Sequence, residues 1–381
     1  MKAEKFIEII GADFYTGVPD SRLKALCDCL LDMYGQNPKH HVIAANEGNS
    51  GAVAAGYYLA TGRIPVVYMQ NSGEGNAMNP MASLLNEHVY GIPVIFVVGW
   101  RGEPGVRDEP QHVYQGEITE EFFKLMGVET FVLDKDTAWE DADAAMAGFR
   151  KVLSQGKDVA FLVKTGALSY DRICKGSHAG SLPDERMTRE EVICQVTDIS
   201  GQDPLITTTG KASRELFEIR EAKGQGHQFD FLTVGSMGHS SSIAMGIALH
   251  QPDRKVWCID GDGAVLMHMG AMAVIAQAAP GNMVHLVVNN GAHESVGGMP
   301  TAAGSLDLWK IAQGCGYRNV YCVQNREELA AVLKIVKEQA GPSFVEVKAA
   351  VGARENLGRP TSSPLENKKA FMEFLQKDTG K

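Results

Sequence analysis

At 381 residues the chain is longer than one hydrophobic core usually supports, and it predicts two domains. Its 44% hydrophobic and 22% charged residues are those of an ordinary globular protein, and no apolar run reaches the roughly 18 residues a membrane-spanning helix needs. A formal net charge of −10 argues against a nucleic-acid partner, yet leaves room for a small anion held by local arginines and lysines.

The N-terminal Met-Lys-Ala-Glu-Lys-Phe-Ile-Glu mixes charge into its apolar residues, reads as an amphipathic helix over 3–10 and not as a signal peptide, and so predicts a cytoplasmic protein. Extended residues at Phe14-Tyr15 lead to Gly17-Val18-Pro19-Asp20-Ser21 and a helix over 22–34. His41 to Ala45 is a strand, followed by Asn46-Glu47-Gly48-Asn49-Ser50 and a small-residue helix through Ala60. Pro65–Gln70 and Pro93–Trp100 are near-continuous apolar runs, the pattern of strands covered on both faces. A long loop over Arg101–His112, a helix over 139–154 and a strand over 158–164 complete the first half.

Residues 167–188 lose periodicity and gain turn formers, which predicts a linker. The alternation then restarts with helix 189–199, strand 204–208, helix 212–222, strand 230–234 and helix 240–250. After the unit that begins at Lys255 come helix 307–314, strand 319–323, helix 325–339 and strand 343–348. Each half is therefore expected to be a doubly wound α/β domain with a parallel sheet, binding ligands at the carboxyl ends of its strands. The seven cysteines (Cys27, Cys29, Cys174, Cys194, Cys258, Cys315 and Cys322) are scattered and read as free thiols, without the spacing of a zinc or iron–sulfur site.

The stretch from Lys255 to His293 organises the second half. A buried strand runs into Gly261-Asp262-Gly263, a single helix follows as far as Pro280-Gly281, and a second buried strand ends at Asn289-Asn290. Both strands of a parallel βαβ unit finish at one sheet edge, so Asp262 and the two amides meet at the helix N-terminus. A carboxylate, an amide oxygen and loop carbonyls are hard ligands suited to Mg²⁺, and the glycines with the helix dipole favour a diphosphate. The plainer reading is an ordinary βαβ connection with a capping Asp.

Gly261-Asp262-Gly263 followed by Asn289-Asn290 resembles the signature of the thiamin diphosphate (ThDP) enzymes. The resemblance implies that Asp262, Asn290 and the carbonyl of Ala292 bind magnesium, with Asn289 as the alternative amide, and that Gly261, Asp262, Gly263 and Ala264 hold the diphosphate. It assigns residues 1–166 to a pyrimidine-binding domain and 189–381 to a diphosphate-binding domain, leaving no room for the third domain of most decarboxylases of the family.

Asn46-Glu47-Gly48 resembles the segment whose Glu bonds N1′ of the aminopyrimidine; otherwise Glu47 is a carboxylate placed by the helix dipole. Gly235-Ser236-Met237-Gly238 resembles the turn that bends the cofactor, with Met237 as the wedge and the Gly235 carbonyl as an acceptor; a core methionine is the alternative. Asp20 aligns with an acid used in proton transfer or is a turn residue. His112 and His293 are candidate acids or bases. Because the two domains grip opposite ends of one cofactor, at least a homodimer is implied, with the site between subunits.

Three basic stretches suit a small polyanion: Ser21 with the loop carrying Arg101 and Arg107, Thr209-Gly210-Lys211 with Arg214, and the tail from Arg354 to Arg359-Pro360-Thr361. They resemble the branch of ThDP decarboxylases that release CO₂ from a 2-oxo acid bearing a second anion, a phosphonate first and a sulfonate second. A ThDP carboligase and a cofactor-binding regulator without turnover are the competing expectations.

Overall fold

The computed structural model describes residues 1–35, 37–171, 185–294 and 298–377. The chain divides into two compact units, Met1–Ala179 and Gly180–Lys381. Most of the expected linker, residues 172–184 with Cys174, lies outside the described residues.

The first unit carries strands β1 (Tyr15–Gly17), β2 (His41–Ile43), β3 (Val66–Gln70), β4 (Ile95–Gly99), β5 (Glu129–Leu133) and β6 (Val159–Val163). They form one sheet in the order β2-β1-β3-β4-β6-β5, and every pairing is parallel. Helices α1 (Ala3–Ile10), α2 (Lys24–Tyr34), α3 (Glu47–Thr61), α4 (Glu74–Pro80), α5 (Pro110–Leu125) and α6 (Trp139–Leu153) connect the strands. Val-Val-Tyr-Met of β3 and all of β4 and β6 are buried, as strands covered on both faces must be.

The second unit repeats the plan with β7 (Leu205–Thr207), β8 (Asp230–Leu232), β9 (Val256–Gly261) and β10 (Met283–Asn289), then a short ribbon of β11 (Ala292–His293) and β12 (Met299–Pro300), then β13 (Asn319–Val323) and β14 (Ser343–Lys348). Its main sheet runs β13-β14-β10-β9-β7-β8, all parallel, and the ribbon is antiparallel. The helices are α7 (Arg189–Ser200), α8 (Lys211–Ala222), α9 (Ser240–His250), α10 (Asp262–Met267), α11 (Gly270–Ala278), α12 (Leu308–Cys315), α13 (Arg326–Glu338) and α14 (Pro364–Gln376). One apolar layer includes Val192, Val196, Leu216 and Leu333, and the other includes Ala244, Ile275, Leu308 and Phe371, so the sheet is buried on both sides. The expected α/β architecture of two doubly wound parallel sheets is the one observed.

Three local differences matter. Residues 110–112 belong to α5, with Pro110 at its first position, so the long loop ends before His112. The expected single helix after Asp262 is two helices, because His268 leaves helical backbone (φ −134°, ψ 47°) and its ring packs 4.3 Å from that of His239. Beyond β14, a Ser363 capping box with Glu366 starts α14, a helix absent from the expected elements. Among the described residues no helix is long and apolar enough to cross a membrane.

Candidate active site

In the second unit, β7, β9 and β10 are neighbours, and their carboxyl ends open onto a cavity of about 130 Å³. Its lining includes Thr208, Thr209, Lys211, Met237, Gly261, Asp262, Gly263, Ala264, Asn290, Ala292 and His293. Asp262 is the first residue of α10 and is buried, and its Oδ2 accepts from Thr301 Oγ at 2.5 Å. Burial raises its pKa, opposed by Thr301 and by backbone N–H groups. A divalent cation would answer that uncompensated charge.

The donor set fits such a cation. Asn290 accepts from the Ala292 N–H at Oδ1 (3.1 Å) and donates from Nδ2 to Glu294 (3.1 Å), so its amide oxygen faces the Ala292 segment in the same cavity as Asp262. Asn289 is different: its amide donates to Glu346 at 2.7 Å and to the Ala303 carbonyl, inside the protein. Between the two amides, Asn290 is the one at the cavity. Beside it a Cβ on Gly263 would sit 3.0 Å from the His293 ring and 3.3 Å from the Met237 methyl, while Gly261 has nothing within 4 Å of that position and leaves space for a ligand.

Met237 lies on a turn with left-handed backbone at Gly235 (φ 69°), Ser236 (φ 44°) and Gly238 (φ 88°). A side chain on Gly238 would meet His268 at 2.7 Å and the Ala264 carbonyl at 2.8 Å, so this turn packs directly on α10. Positive φ at a non-glycine such as Ser236 is a strained feature that functional sites retain. Burial pushes the His293 imidazole down to about 4, which leaves it neutral at pH 7.

The basic candidates of this unit separate. Lys211 begins α8, lines the cavity and stands 3.6 Å from Glu294. Arg214 is half-buried one turn further on, and Arg359 is exposed; neither lines the cavity. Arg354 is also outside it, paired with Glu190 and Glu218.

In the first unit, Glu47 is the first residue of α3, directly after its N-cap Asn46, and is 4% exposed. Its Oε2 accepts from Asn76 at 2.8 Å, and a Cβ on Gly73 would fall 2.4 Å from its side chain. Burial raises its pKa. Asp20 is buried after β1, accepting from Gln70 Nε2 and, at 2.8 Å, from the Arg22 N–H; burial raises its pKa too. Gly99 at the end of β4 admits this carboxyl, since a Cβ there would lie 2.2 Å from Asp20 Oδ2.

Ser21 and Arg101 meet at 3.2 Å, and Arg101 makes a two-pronged contact with Asp108. Arg107 is exposed on the same loop. His112 is buried in the first turn of α5, its Nδ1 without a hydrogen-bond partner. Burial, with Arg101 nearby, pushes its pKa down to about 4.

Two family matches now bear on these two sites. Residues 5–124 match the thiamine pyrophosphate enzyme N-terminal TPP binding domain, and residues 208–347 match the C-terminal TPP binding domain. A phosphonopyruvate decarboxylase of Streptomyces viridochromogenes is 33% identical over 96% of this chain and 92% of its own. The chain belongs to the thiamine pyrophosphate enzymes. A sulfopyruvate decarboxylase of Methanosarcina acetivorans is 28% identical over 98% of this chain and 97% of its own. In Methanococcus maripaludis, 99% of a sulfopyruvate decarboxylase subunit beta aligns with 50% of this chain at 34% identity. The chain is a member of the family's carboxy-lyase group.

Sequence reasoning missed several residues that hold these sites. Gly73 and Asn76 carry a visible signal, because Asn71-Ser72-Gly73-Glu74-Gly75-Asn76 directly follows an apolar strand. Arg189 carries none: it reads as a helix start, yet its guanidinium joins Glu215 (2.6 and 2.7 Å) to Glu294 (2.6 Å) behind Asn290. Thr301 and Arg22 are likewise placed only by the fold.

Proposed function

We propose that the protein is a magnesium- and ThDP-dependent decarboxylase that converts 3-phosphonopyruvate to phosphonoacetaldehyde and CO₂ in phosphonate biosynthesis. The observation that carries the substrate is the full-length likeness to the phosphonopyruvate decarboxylase, which exceeds that to the full-length sulfopyruvate decarboxylase. Sulfopyruvate is the second reading for the same reason. We assign residues 1–166 to the pyrimidine end of the cofactor and 189–381 to its diphosphate, in a cytoplasmic homo-oligomer of at least two chains.

Asp262, Asn290 and the Ala292 carbonyl would hold the metal, and Gly261, Gly263 and Ala264 the diphosphate beside the α10 N-terminus. When bound, ThDP supplies a nucleophilic thiazolium carbon and a sink for the electron pair left behind as CO₂ departs. The protein's part is placement and proton control. Glu47, whose protonated form burial favours, would offer a proton to the pyrimidine ring nitrogen. Met237, on the left-handed turn that Ser236 sets, would pack against the cofactor, and the Gly235 carbonyl would be an acceptor for it.

Burial favours the protonated form of Asp20, which could donate to the developing product, while neutral His112 and His293 can accept or relay a proton. Ser21, Arg101 and Lys211 are the anion-binding candidates that lie beside these groups; Arg107, Arg214, Arg354 and Arg359 are more remote contributors.

Side-by-side measurement of CO₂ release from 3-phosphonopyruvate, sulfopyruvate and pyruvate, with and without ThDP and Mg²⁺, tests the assignment. The expected order of kcat/KM places 3-phosphonopyruvate first, with turnover dependent on both additions. Faster release from sulfopyruvate overturns the substrate, and turnover without ThDP overturns the mechanism.

A further inference from the structure

Two guanidiniums meet on one carboxylate at the carboxyl end of the first sheet. Asp108, in the loop after β4, accepts from Arg101 Nε at 2.8 Å and Arg101 Nη2 on one side, and from Arg22 Nη2 at 3.1 Å on the other. It also takes the backbone N–H groups of Gly102 (3.0 Å) and Glu109 (2.8 Å). Its side chain is 4% exposed, against 18% for each arginine, so the carboxylate is the buried post and the arginines form the accessible rim. Burial works against its charge, but Arg101 and the backbone donors hold it ionised.

Arginines so close repel one another unless an anion lies between them, and Asp108 fills that position from below. The pair is still short of acceptors. Arg22 Nε is buried with no hydrogen-bond partner, and Arg101 turns Nη1 to the hydroxyl of exposed Ser21. A buried charged donor without an acceptor keeps its full desolvation penalty. Asp20 acts on Arg101 through space but offers Arg22 Nε no acceptor, because its oxygens go to Gln70 and to the Arg22 backbone. Glu109 acts on Arg101 through space, and His112 lies within the field of both arginines and Asp108.

Other basic residues near the second sheet edge are matched differently. Arg189 lies between Glu215 and Glu294, Lys211 faces Glu294, and Arg354 has Glu190 and Glu218. There two cations, Arg189 and Lys211, have two carboxylates between them, whereas among the described residues Arg22 and Arg101 form ion pairs with Asp108 alone. A tetrahedral anion with three terminal oxygens is the ligand class that the remaining N–H groups of two guanidiniums and a hydroxyl can share.

We propose that Arg22 and Arg101, held apart by Asp108 and joined by Ser21, form the subsite for the terminal phosphonate of the substrate, with Arg22 the specificity-determining residue. The assignment rests on the decarboxylase reading above. It takes the anion off the second sheet edge, where Lys211 lies, and puts it beside Asp20 and His112.

The test uses the full-length holoenzyme and the variants Arg22→Gln and Arg22→Lys, with ThDP affinity and circular dichroism as controls for folding. Arg22→Gln is expected to raise KM for 3-phosphonopyruvate about 10- to 100-fold, the range of a lost charge-assisted hydrogen bond, with a smaller change in kcat. The inhibition constant of methylphosphonate should rise in parallel, and Arg22→Lys should recover part of both. A folded Arg22→Gln or Arg22→Lys enzyme whose KM and methylphosphonate inhibition constant stay within twofold of wild type overturns the subsite. If wild type instead prefers sulfopyruvate, the substrate reading fails by itself, and the same variants measured with sulfopyruvate and methanesulfonate decide the subsite.

Discussion

Asn76 donates its side-chain amide to Glu47 at 2.8 Å, from a helix that begins immediately after the glycine on which the Glu47 side chain rests. Among the described residues this carboxyl of raised pKa is held by one neutral side-chain donor and no cation, which favours its protonated form. A lysine or arginine in place of Asn76 would favour the carboxylate and defeat that arrangement.

From this follows the first prediction. Glu47→Gln should lower kcat at least about 100-fold, the ordinary weight of a positioned acid, with the far-ultraviolet circular dichroism unchanged. Gly73→Ala, at 2.4 Å from the same side chain, should lower activity as well, by displacing Glu47. Steady-state rates that stay near wild type in Glu47→Gln would remove this carboxyl from the chemistry.

Asp262 and Thr301 supply the second. Asp262→Ala should abolish magnesium-dependent ThDP binding by calorimetry. Thr301→Val removes the donor to Asp262 and should weaken magnesium about 10- to 100-fold, as loss of a partner behind a ligand does. Equal ThDP titrations for wild type and Asp262→Ala would sink the metal assignment.

Most of the fold was legible because its strands are apolar runs punctuated by glycine and proline, as β4 and β10 illustrate; the partly exposed edge strand β5 and helices α4 and α5 were not. Gly261-Asp262-Gly263 was legible because a tight turn between a buried strand and a helix puts its acid at a sheet edge. What stayed hidden depends on side chains that meet across loops. Arg22 reads as the start of a helix, Asp108 as loop charge, and their contact exists only because β1 and β4 flank β3 in the same sheet. His268 breaking the helix after Asp262 was equally hidden, since Met-His-Met carries no breaker and the cause is packing on Gly238 and His239.

Arg220 and Asp230 form a fully buried pair, with nitrogen–oxygen distances of 3.0 and 2.9 Å and no exposed surface on either side chain. Removing one partner strands the other charge, so Arg220→Met should destabilise the second unit by about 3–5 kcal/mol. Replacing both by apolar residues of similar volume should recover most of that loss. Urea denaturation of the single and double variants checks it, and additive losses would mean that the pair is not coupled.

Glu74 provides the pH-dependent prediction. Its side chain is 1% exposed, Oε2 accepts from Gln115 at 2.5 Å, and Oε1 has no partner. Burial pushes its pKa up to about 8, against the donors Thr119 and Gln115. A folded pKa above the unfolded one means that the native state keeps its proton longer. The contribution to stability is therefore full below the unfolded value of 4.5 and is lost as pH rises through about 8. Glu74→Gln keeps an acceptor for Gln115 and has no charge to bury, so its stability relative to wild type should climb by about 1.4 kcal/mol per pH unit across that window and level off above it. Urea midpoints at pH 5.5, 7 and 8.5 measure the slope. Parallel curves for the two proteins would mean that Glu74 ionises in the native state as readily as in the unfolded chain, and that water or a polar group reaches Oε1.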